Sequence, residues 1–157
     1  MRIELPVDAH NPTDYVDHER LRLEAYRKLA AATGEEQIQE VLAELTDRYG
    51  TPPEAVGVLA DVARLRIRAR ASGITDIVIQ GNFIRFGPVE DLPDSQIARL
   101  KRMYPKSLIK PAVRSILVPK PVGGNGFDRR EVVDSEILTW AHQFLEAILP
   151  VEEEPPA

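Results

Sequence analysis

Acidic side chains recur along one face of a predicted helix, at a spacing that would let their carboxylates act together. Glu40, Glu44 and Asp47 follow one another at intervals of four and three residues, which places them on one side of an α-helix. Two carboxylates could act as an acid–base pair, or a row of carboxylates could bind arginines in bidentate fashion. Because the acids lie beside other acids with no sign of a pocket, we do not expect catalysis. The pattern alone favours an ordinary solvated helix face, although acids held on a rigid helix also form a suitable platform for arginine pairs.

Two of these acids lie where a helix disfavours them. The run ELTDRYGTPP, residues 44–53, ends the helix at Gly50, and the partial negative charge of a helix C-terminus disfavours carboxylates by a few tenths to about 1 kcal/mol. Arg48 suits the last turn, whereas Glu44 and Asp47 do not. The mismatch predicts a positively charged partner for the two acids. It also predicts that Glu44→Ala leaves stability unchanged or slightly raised.

No other catalytic or metal-binding constellation is recognisable. The three histidines lie far apart and have no metal-ligand spacing, and the absence of cysteine excludes disulfides and thiolate chemistry. The glycine-rich run at 123–126 lacks the Gly-Lys-Ser/Thr ending of a phosphate-binding loop, so we predict a mobile loop over 120–131. We therefore expect no enzyme activity, no cofactor and no metal.

Basic residues are concentrated between residues 64 and 114. This segment has eleven Lys and Arg against four Asp and Glu, although the net charge of the chain is −5. It supports an alternative prediction, a nucleic-acid-binding module. A helix would direct the alternate arginines of 64–70 to opposite sides, so they would not form one phosphate-tracking stripe. We expect their stems to cover apolar surface and their heads to reach water or acids such as Asp61, which makes DNA binding the less favoured alternative.

The elements that must position these residues are helices first and then strands with helices. Apolar periodicity and stop signals predict helices over 17–32, 35–49, 53–71 and 132–149, and a short helix beginning at Asp94 or Ser95. Strands are predicted at 75–79, at 83–87 and once or twice within 106–120. This order predicts an α+β fold, with N-terminal helices and a C-terminal helix packed with a small, mainly antiparallel sheet. The predicted core includes Leu42, Leu45, Leu59, Val62, Trp140 and Phe144.

The chain length suits one domain with short appendages. We expect residues 1–16 to be an extended linker from an upstream region, 17–149 to be a single domain, and 150–157 to be a disordered tail. No apolar stretch is long enough to span a membrane and the N-terminus does not read as a signal peptide. We therefore expect a cytoplasmic protein, monomeric by default.

Three segments resemble the C-terminal domain of the bacterial transcription-repair coupling factor family (Mfd). They are ERLRLEAYRKLA, ELTDRYGTPPEAV and LADVARLRIRARASGI. The run Glu-Leu-x-Asp-Arg-Phe/Tyr-Gly-x-x-Pro is specific when an arginine-bearing helix follows it, as it does here. The resemblance covers essentially the whole chain and is strongest from Asp14 to Ile74.

This resemblance implies a regulatory domain without motor activity. The family's proteins are ATP-driven DNA translocases that displace stalled RNA polymerase and recruit the excision-repair protein UvrA, but no Walker motif occurs in this sequence. In the family, this domain docks on the protein's own UvrB-like module, masks the surface that binds UvrA and helps to restrain the motor. Residues 17–149 would then be a C-terminal regulatory domain that acts by autoinhibition, with indirect control of UvrA and RNA polymerase.

The family's interface acids map onto two residues of the acidic row. They are Glu44 and Asp47, and their counterparts would be arginines of the UvrB-like module. Helical adjacency extends the partner-binding set to Glu40 and Arg48. The resemblance thus implies that the unfavourably placed acids form one half of an intramolecular lock.

Overall fold

The computed structural model describes residues 1–7, 12, 15–123 and 130–151, without the side chains of 130 and 131. The chain divides into two compact units, one formed by Val7–Ile67 and one by Met1–Pro6 with Arg68–Ala157. Half of the predicted loop at 120–131 (residues 124–129) and most of the predicted tail at 150–157 (residues 152–157) lie outside the described residues. The predicted boundaries between linker, domain and tail stay predictions.

The unit formed by Val7–Ile67 is helical. Its elements are α1 (Glu19–Ala31), α2 (Glu35–Tyr49) and the first part of α3 (Glu54–Ala71). Apolar side chains spaced at three and four residues give each helix one buried face, and these faces share a core. Its buried members are Val16, Ala25, Leu29, Ala32, Ile38, Val41, Leu45, Val56, Ala60 and Ala63.

A glycine and a tyrosine fix the end of α2. Gly50 has a φ of 84°, a left-handed conformation that favours glycine. Its N–H donates a hydrogen bond to the Thr46 carbonyl at 2.9 Å. The Tyr15 hydroxyl bonds the Gly50 carbonyl at 2.7 Å and lies 3.1 Å from the Leu45 carbonyl. The predicted stop of this helix at Gly50 is therefore confirmed.

The other unit contains a five-stranded sheet. Its strands are β1 (Arg2–Glu4), β2 (Asp76–Gln80), β3 (Phe83–Gly87), β4 (Leu108–Lys110) and β5 (Ser115–Pro119). Their order is β1-β2-β3-β5-β4, in which β1 runs parallel to β2 and every other neighbouring pair is antiparallel. The short strands β6 (Val122–Gly123) and β7 (Arg130–Glu131) form a separate antiparallel pair. The prediction of an α+β fold is confirmed.

Two helices, α4 (Asp94–Met103) and α5 (Asp134–Ile148), accompany this sheet. The ring of Phe144 on α5 stacks on that of Phe86 on β3, with centroids 4.3 Å apart. Tyr104, just after α4, meets Phe144 edge-on at 4.9 Å. Phe86 and Phe144 are fully buried, so this aromatic cluster anchors α5 to the sheet. Trp140 is only partly buried, and its predicted place in the core is corrected accordingly.

The structure refines several local predictions. Leu45 is buried as predicted, whereas Leu42 and Leu59 are partly buried side chains packed against the core. Val62 is likewise only partly buried, so its predicted place in the core is corrected. Helix α1 begins at Glu19 with His18 as its N-cap, not at Asp17. Residues 2–4 are extended as predicted, but they also join the sheet through β2. The sequence gives no sign of that pairing, because the two strands lie far apart along the chain.

Candidate functional site

The predicted acids lie on the surface of the C-terminal two-thirds of α2. Glu40, Asp47 and Arg48 are exposed, and 42% of the Glu44 side chain is accessible. We define Glu40, Glu44 and Asp47 as the acidic face of α2. The prediction that one helix carries all of them holds, because α2 runs without interruption from Glu35 to Tyr49.

Glu44 has basic partners on its own fold. The Lys28 Nζ atom of α1 lies 3.0 Å from Glu44 Oε2, and Arg48 Nη2 lies 3.6 Å from Glu44 Oε1. Lys28 also lies 3.5 Å from Glu24. The hydrogen bond from Lys28 lowers the pKa of Glu44, and the same bond raises the pKa of Lys28. The positively charged partner that the sequence predicts for Glu44 is thus provided in part by Lys28 and Arg48 of the same unit.

Asp47 and Glu40 differ from Glu44 in this respect. Within the described part of the chain, neither carboxylate makes a hydrogen bond or an ion pair. Asp47 remains in the last turn of α2 with Arg48 beside it in sequence. The carboxylates of Glu40 and Asp47 are therefore free of partners among the described residues, whereas the carboxylate of Glu44 forms an ion pair with Lys28.

The surface between α1 and α2 offers no room for a small molecule. Beside Glu44 and Lys28 there is a depression of about 20 Å³, the space of roughly one water molecule. Its lining residues are Leu21, Glu24, Ala25, Lys28, Val41, Glu44, Leu45, Arg48 and Tyr49. Ligand-binding pockets are typically several hundred cubic ångströms. This depression is therefore too small to hold a substrate-sized ligand.

Another ion-pair group in the same unit has a structural role. Arg64 on α3 donates to both carboxylate oxygens of Glu35, the first residue of α2, at 2.8–3.1 Å. Its Nη1 atom also lies 2.8 Å from Asp61 Oδ1. The Arg64 bond lowers the pKa of Glu35. Pairing of Arg64 with Asp61 is confirmed, and Glu35 is the partner that sequence reasoning missed.

Several arginines of the basic segment at 64–114 are engaged within their own unit. Arg64 is engaged as described, and Arg114 pairs with Glu90. In the unit that contains the sheet, Arg68 donates to the carbonyls of Leu145 and Leu149 at 2.9 and 2.8 Å. That guanidinium thus caps the C-terminus of α5. Three of its arginines therefore already have partners.

Among the residues that the structure describes, no three His, Asp or Glu side chains are grouped as metal ligands would be. No helix of the described ranges is long and apolar enough to cross a membrane.

Comparisons with known proteins identify relatives of this chain. A family model described as "TRCF domain" matches residues 5–100. The chain is 44% identical over 149 residues to transcription-repair-coupling factors of Mycobacterium bovis and Mycobacterium tuberculosis, a match that covers 94% of this chain. It is 34% identical over 84 residues to the corresponding factor of Staphylococcus aureus, which covers 54% of this chain and 7% of that protein. The chain spans only 12% of the length of the mycobacterial relatives.

A solved structure shares the fold. It is titled as the C-terminal domain of transcription-repair coupling factor, and it superposes with a TM-score of 0.71 over 93% of this chain and 89% of that chain. The sequence identity of this pair is 19%, so the likeness establishes the architecture and leaves side-chain roles to the geometry above.

Proposed function

The chain belongs to the TRCF domain family, and on that premise we propose that it is a non-catalytic regulatory domain of a transcription-coupled DNA repair translocase. It docks on the UvrB-like module of the same polypeptide. Docking masks the UvrA-binding surface of that module and restrains the motor. Release of the domain exposes the surface when repair proteins are to be recruited.

The observation that carries this proposal is the pair of exposed, unengaged acids on one rigid helix face. Asp47 and Glu40 have no partner in the described ranges, and α2 holds them on the same side. Carboxylates fixed in this way match the planar fork of arginine, which forms two parallel hydrogen bonds. An arginine-bearing surface is therefore the expected counterpart.

The contact between Glu44 and Lys28 makes the proposed lock easy to reverse. A partner arginine must share Glu44 with Lys28 or displace it, because the Lys28 ammonium already lies 3.0 Å from a Glu44 carboxylate oxygen. Exposed ion pairs contribute only about 0–1 kcal/mol each. A tether between the domain and the module supplies an effective concentration of the order of millimolar, so weak pairs suffice to hold it. A competing partner then needs only a few kcal/mol of differential affinity to release the domain.

The binding test compares two charge reversals of equal size. The separately produced UvrB-like module is titrated by calorimetry with this chain, with Asp47→Lys and with Asp91→Lys, at two salt concentrations. Asp91 is an exposed acid of the other unit with no partner among the described residues. We expect Asp47→Lys to weaken binding by about tenfold or more and Asp91→Lys to leave it unchanged.

The outcomes separate the possible readings. Binding that weakens with salt and is lost only in Asp47→Lys supports a lock through the acidic face. Equal binding by both variants moves the interface away from α2. Failure of the unmodified chain to bind at about millimolar concentration, the tethered range, refutes docking and makes the nucleic-acid alternative the next to test.

A further inference from the structure

Strand β4 is an open edge of the sheet. It pairs with β5 on one side through the register Leu108↔Leu117, Ile109↔Ile116 and Lys110↔Ser115. In the described part of the chain, the residues of β4 make no backbone hydrogen bond outside that pairing. A strand with one unpaired side presents N–H and C=O groups that can receive another extended chain.

Apolar side chains are unusually exposed around this edge. Leu108 and Ile109 of β4 are exposed, as are Met103 before it and Val113 after it, the last to 66%. Single exposed apolar residues are ordinary, but four within eleven residues make this segment a candidate interaction surface. We call residues 103–113 with the adjoining Arg114 the β4 patch.

Positive charge surrounds the β4 patch. Six basic residues and no acidic residue occur between positions 99 and 114. Arg114 pairs with Glu90, and Arg99 lies 3.3 Å from the carbonyl of Ala147. The remaining four are exposed and have no partner in the described ranges; they are Lys101, Arg102, Lys106 and Lys110. The acids Glu90, which pairs with Arg114, and Asp91 line the adjoining cleft. Six basic side chains against these two acids leave the surroundings of the open edge positive, which complements an acidic chain.

A cleft beside β4 can receive apolar side chains. It has a volume of about 290 Å³ and extends from Ile109 and Ile116 to Ile97 of α4. Side chains of an added strand alternate between its two faces, so those on one face could enter this cleft while the others reach Lys106 or Lys110. The edge, the cleft and the cations thus form one recognition surface.

We propose that β4 is the docking site for an extended, acidic segment of a partner protein, which adds to the sheet beside β4. Backbone hydrogen bonds give the segment its register, apolar side chains fill the cleft, and its carboxylates face Lys106 and Lys110. A short edge bearing lysine normally discourages indiscriminate strand pairing. Here the same lysines select an acidic strand over neutral or basic ones.

A protein segment fits this surface better than a nucleic acid does. The exposed apolar residues are aliphatic, such as Leu108 and Val113, whereas single strands are bound by stacking on aromatic rings. A sheet edge offers backbone groups that match a peptide chain, while phosphates require a continuous row of cations.

The test uses a soluble peptide of about seven residues that alternates aspartate with valine or isoleucine, together with an asparagine analogue. The peptides are titrated into the full chain while backbone amide shifts and hydrogen exchange are followed by NMR. We expect shift changes confined to β4 and the cleft, slower exchange of the β4 amides, and binding of the asparagine analogue weaker by about tenfold. Lys106→Glu with Lys110→Glu is the variant, and Arg20→Glu with Arg27→Glu, exposed on α1, is its matched control.

Each outcome decides the proposal. The affinity of the Lys106→Glu, Lys110→Glu variant for the acidic peptide should fall by about tenfold, and this variant should bind a lysine-containing peptide instead. The Arg20→Glu, Arg27→Glu control should bind both peptides as the unmodified chain does. That exchange of preference also shows that the variant is folded. Equal binding by variant and control, or no binding of the acidic peptide at millimolar concentration, overturns the proposal. Tighter binding of a single-stranded oligonucleotide at the same amides overturns it in favour of a nucleic-acid surface.

Discussion

The ammonium nitrogen of Lys28 on α1 lies 3.0 Å from a carboxylate oxygen of Glu44 on α2. This contact joins two helices through the residue that the family resemblance places in an interface. Glu44 therefore makes a contact within the fold in addition to the proposed contact with a partner. Its neighbour Asp47 carries no such internal contact in the described ranges, which makes the two acids separable by mutation.

Removal of the Glu44 carboxylate should lower stability slightly. The sequence alone predicts no loss or a small gain for Glu44→Ala, since an unfavourable contact with the helix dipole is relieved. The structure adds the Lys28 pair, whose loss opposes that gain. Both side chains are more than a third exposed, so solvent screening limits the net loss to under about 1 kcal/mol. Urea unfolding of Glu44→Gln and of Asp47→Asn measures this loss of stability. A loss in Asp47→Asn alone would contradict the assignment of a stabilising ion pair to Glu44.

The same pair predicts a pH dependence. Because the pKa of Glu44 is lowered in the folded state, its contribution is present above the unfolded-state pKa of about 4.3 and is lost as pH falls through the folded-state value. The stability difference between the unmodified chain and Glu44→Gln should therefore be measurable near neutral pH and vanish under acid conditions. Urea unfolding of both proteins across that range provides the measurement. A difference that grows on acidification would show that the sign is wrong.

Loss of the Arg68 guanidinium should destabilise the unit that contains the sheet. Arg68 donates to two carbonyls at the end of α5, and burial lowers its pKa. Removal of a donor that serves partly buried carbonyls costs about 1–3 kcal/mol. We expect that loss in Arg68→Ala, measured by urea unfolding. Arg70→Ala, which changes an exposed arginine of the same helix, is the control and should stay within about 0.5 kcal/mol.

Phe144 should matter more than Trp140 for the stability of α5. From the sequence we expect both in the core, and a buried tryptophan would cost about 3–5 kcal/mol on replacement by alanine. In the structure Phe144 is fully buried between Phe86 and Tyr104, whereas Trp140 is partly buried. Phe144→Ala should therefore cost about 3–5 kcal/mol, and Trp140→Ala less. Thermal unfolding of both variants measures the order, and a larger loss in Trp140→Ala would contradict this view of the core.

Gly50→Ala should test the end of α2. The φ of 84° is strained for any residue with a Cβ, although no atom lies within 4 Å of the position where that Cβ would be. The cost is therefore conformational and should be about 1 kcal/mol. Gly57→Ala is the contrasting control, since Gly57 lies inside α3 without a positive φ and its surroundings are equally open. Denaturant unfolding of the two variants gives the comparison, and equal losses would exclude a conformational origin.

Local features of the fold follow from the sequence because they depend on residues close together along the chain. The stripe of α2 and its stop at Gly50 arise from helical periodicity and from the freedom of one glycine. The hairpin of β2 and β3 arises from β-branched and aromatic runs around a short turn. The acidic face itself is also local, since Glu40, Glu44 and Asp47 share one helix.

Other features were decided only by tertiary structure. The partner of Glu44 on α1, the capping of α5 by Arg68 and the pairing of β1 with β2 join residues that are distant in sequence. Periodicity tells which face of an element is buried, but not which other element covers it. That choice is made by the burial of apolar surface over each whole unit. As a result, Glu44 of the acidic face is paired with Lys28, whereas Glu40 and Asp47 remain exposed.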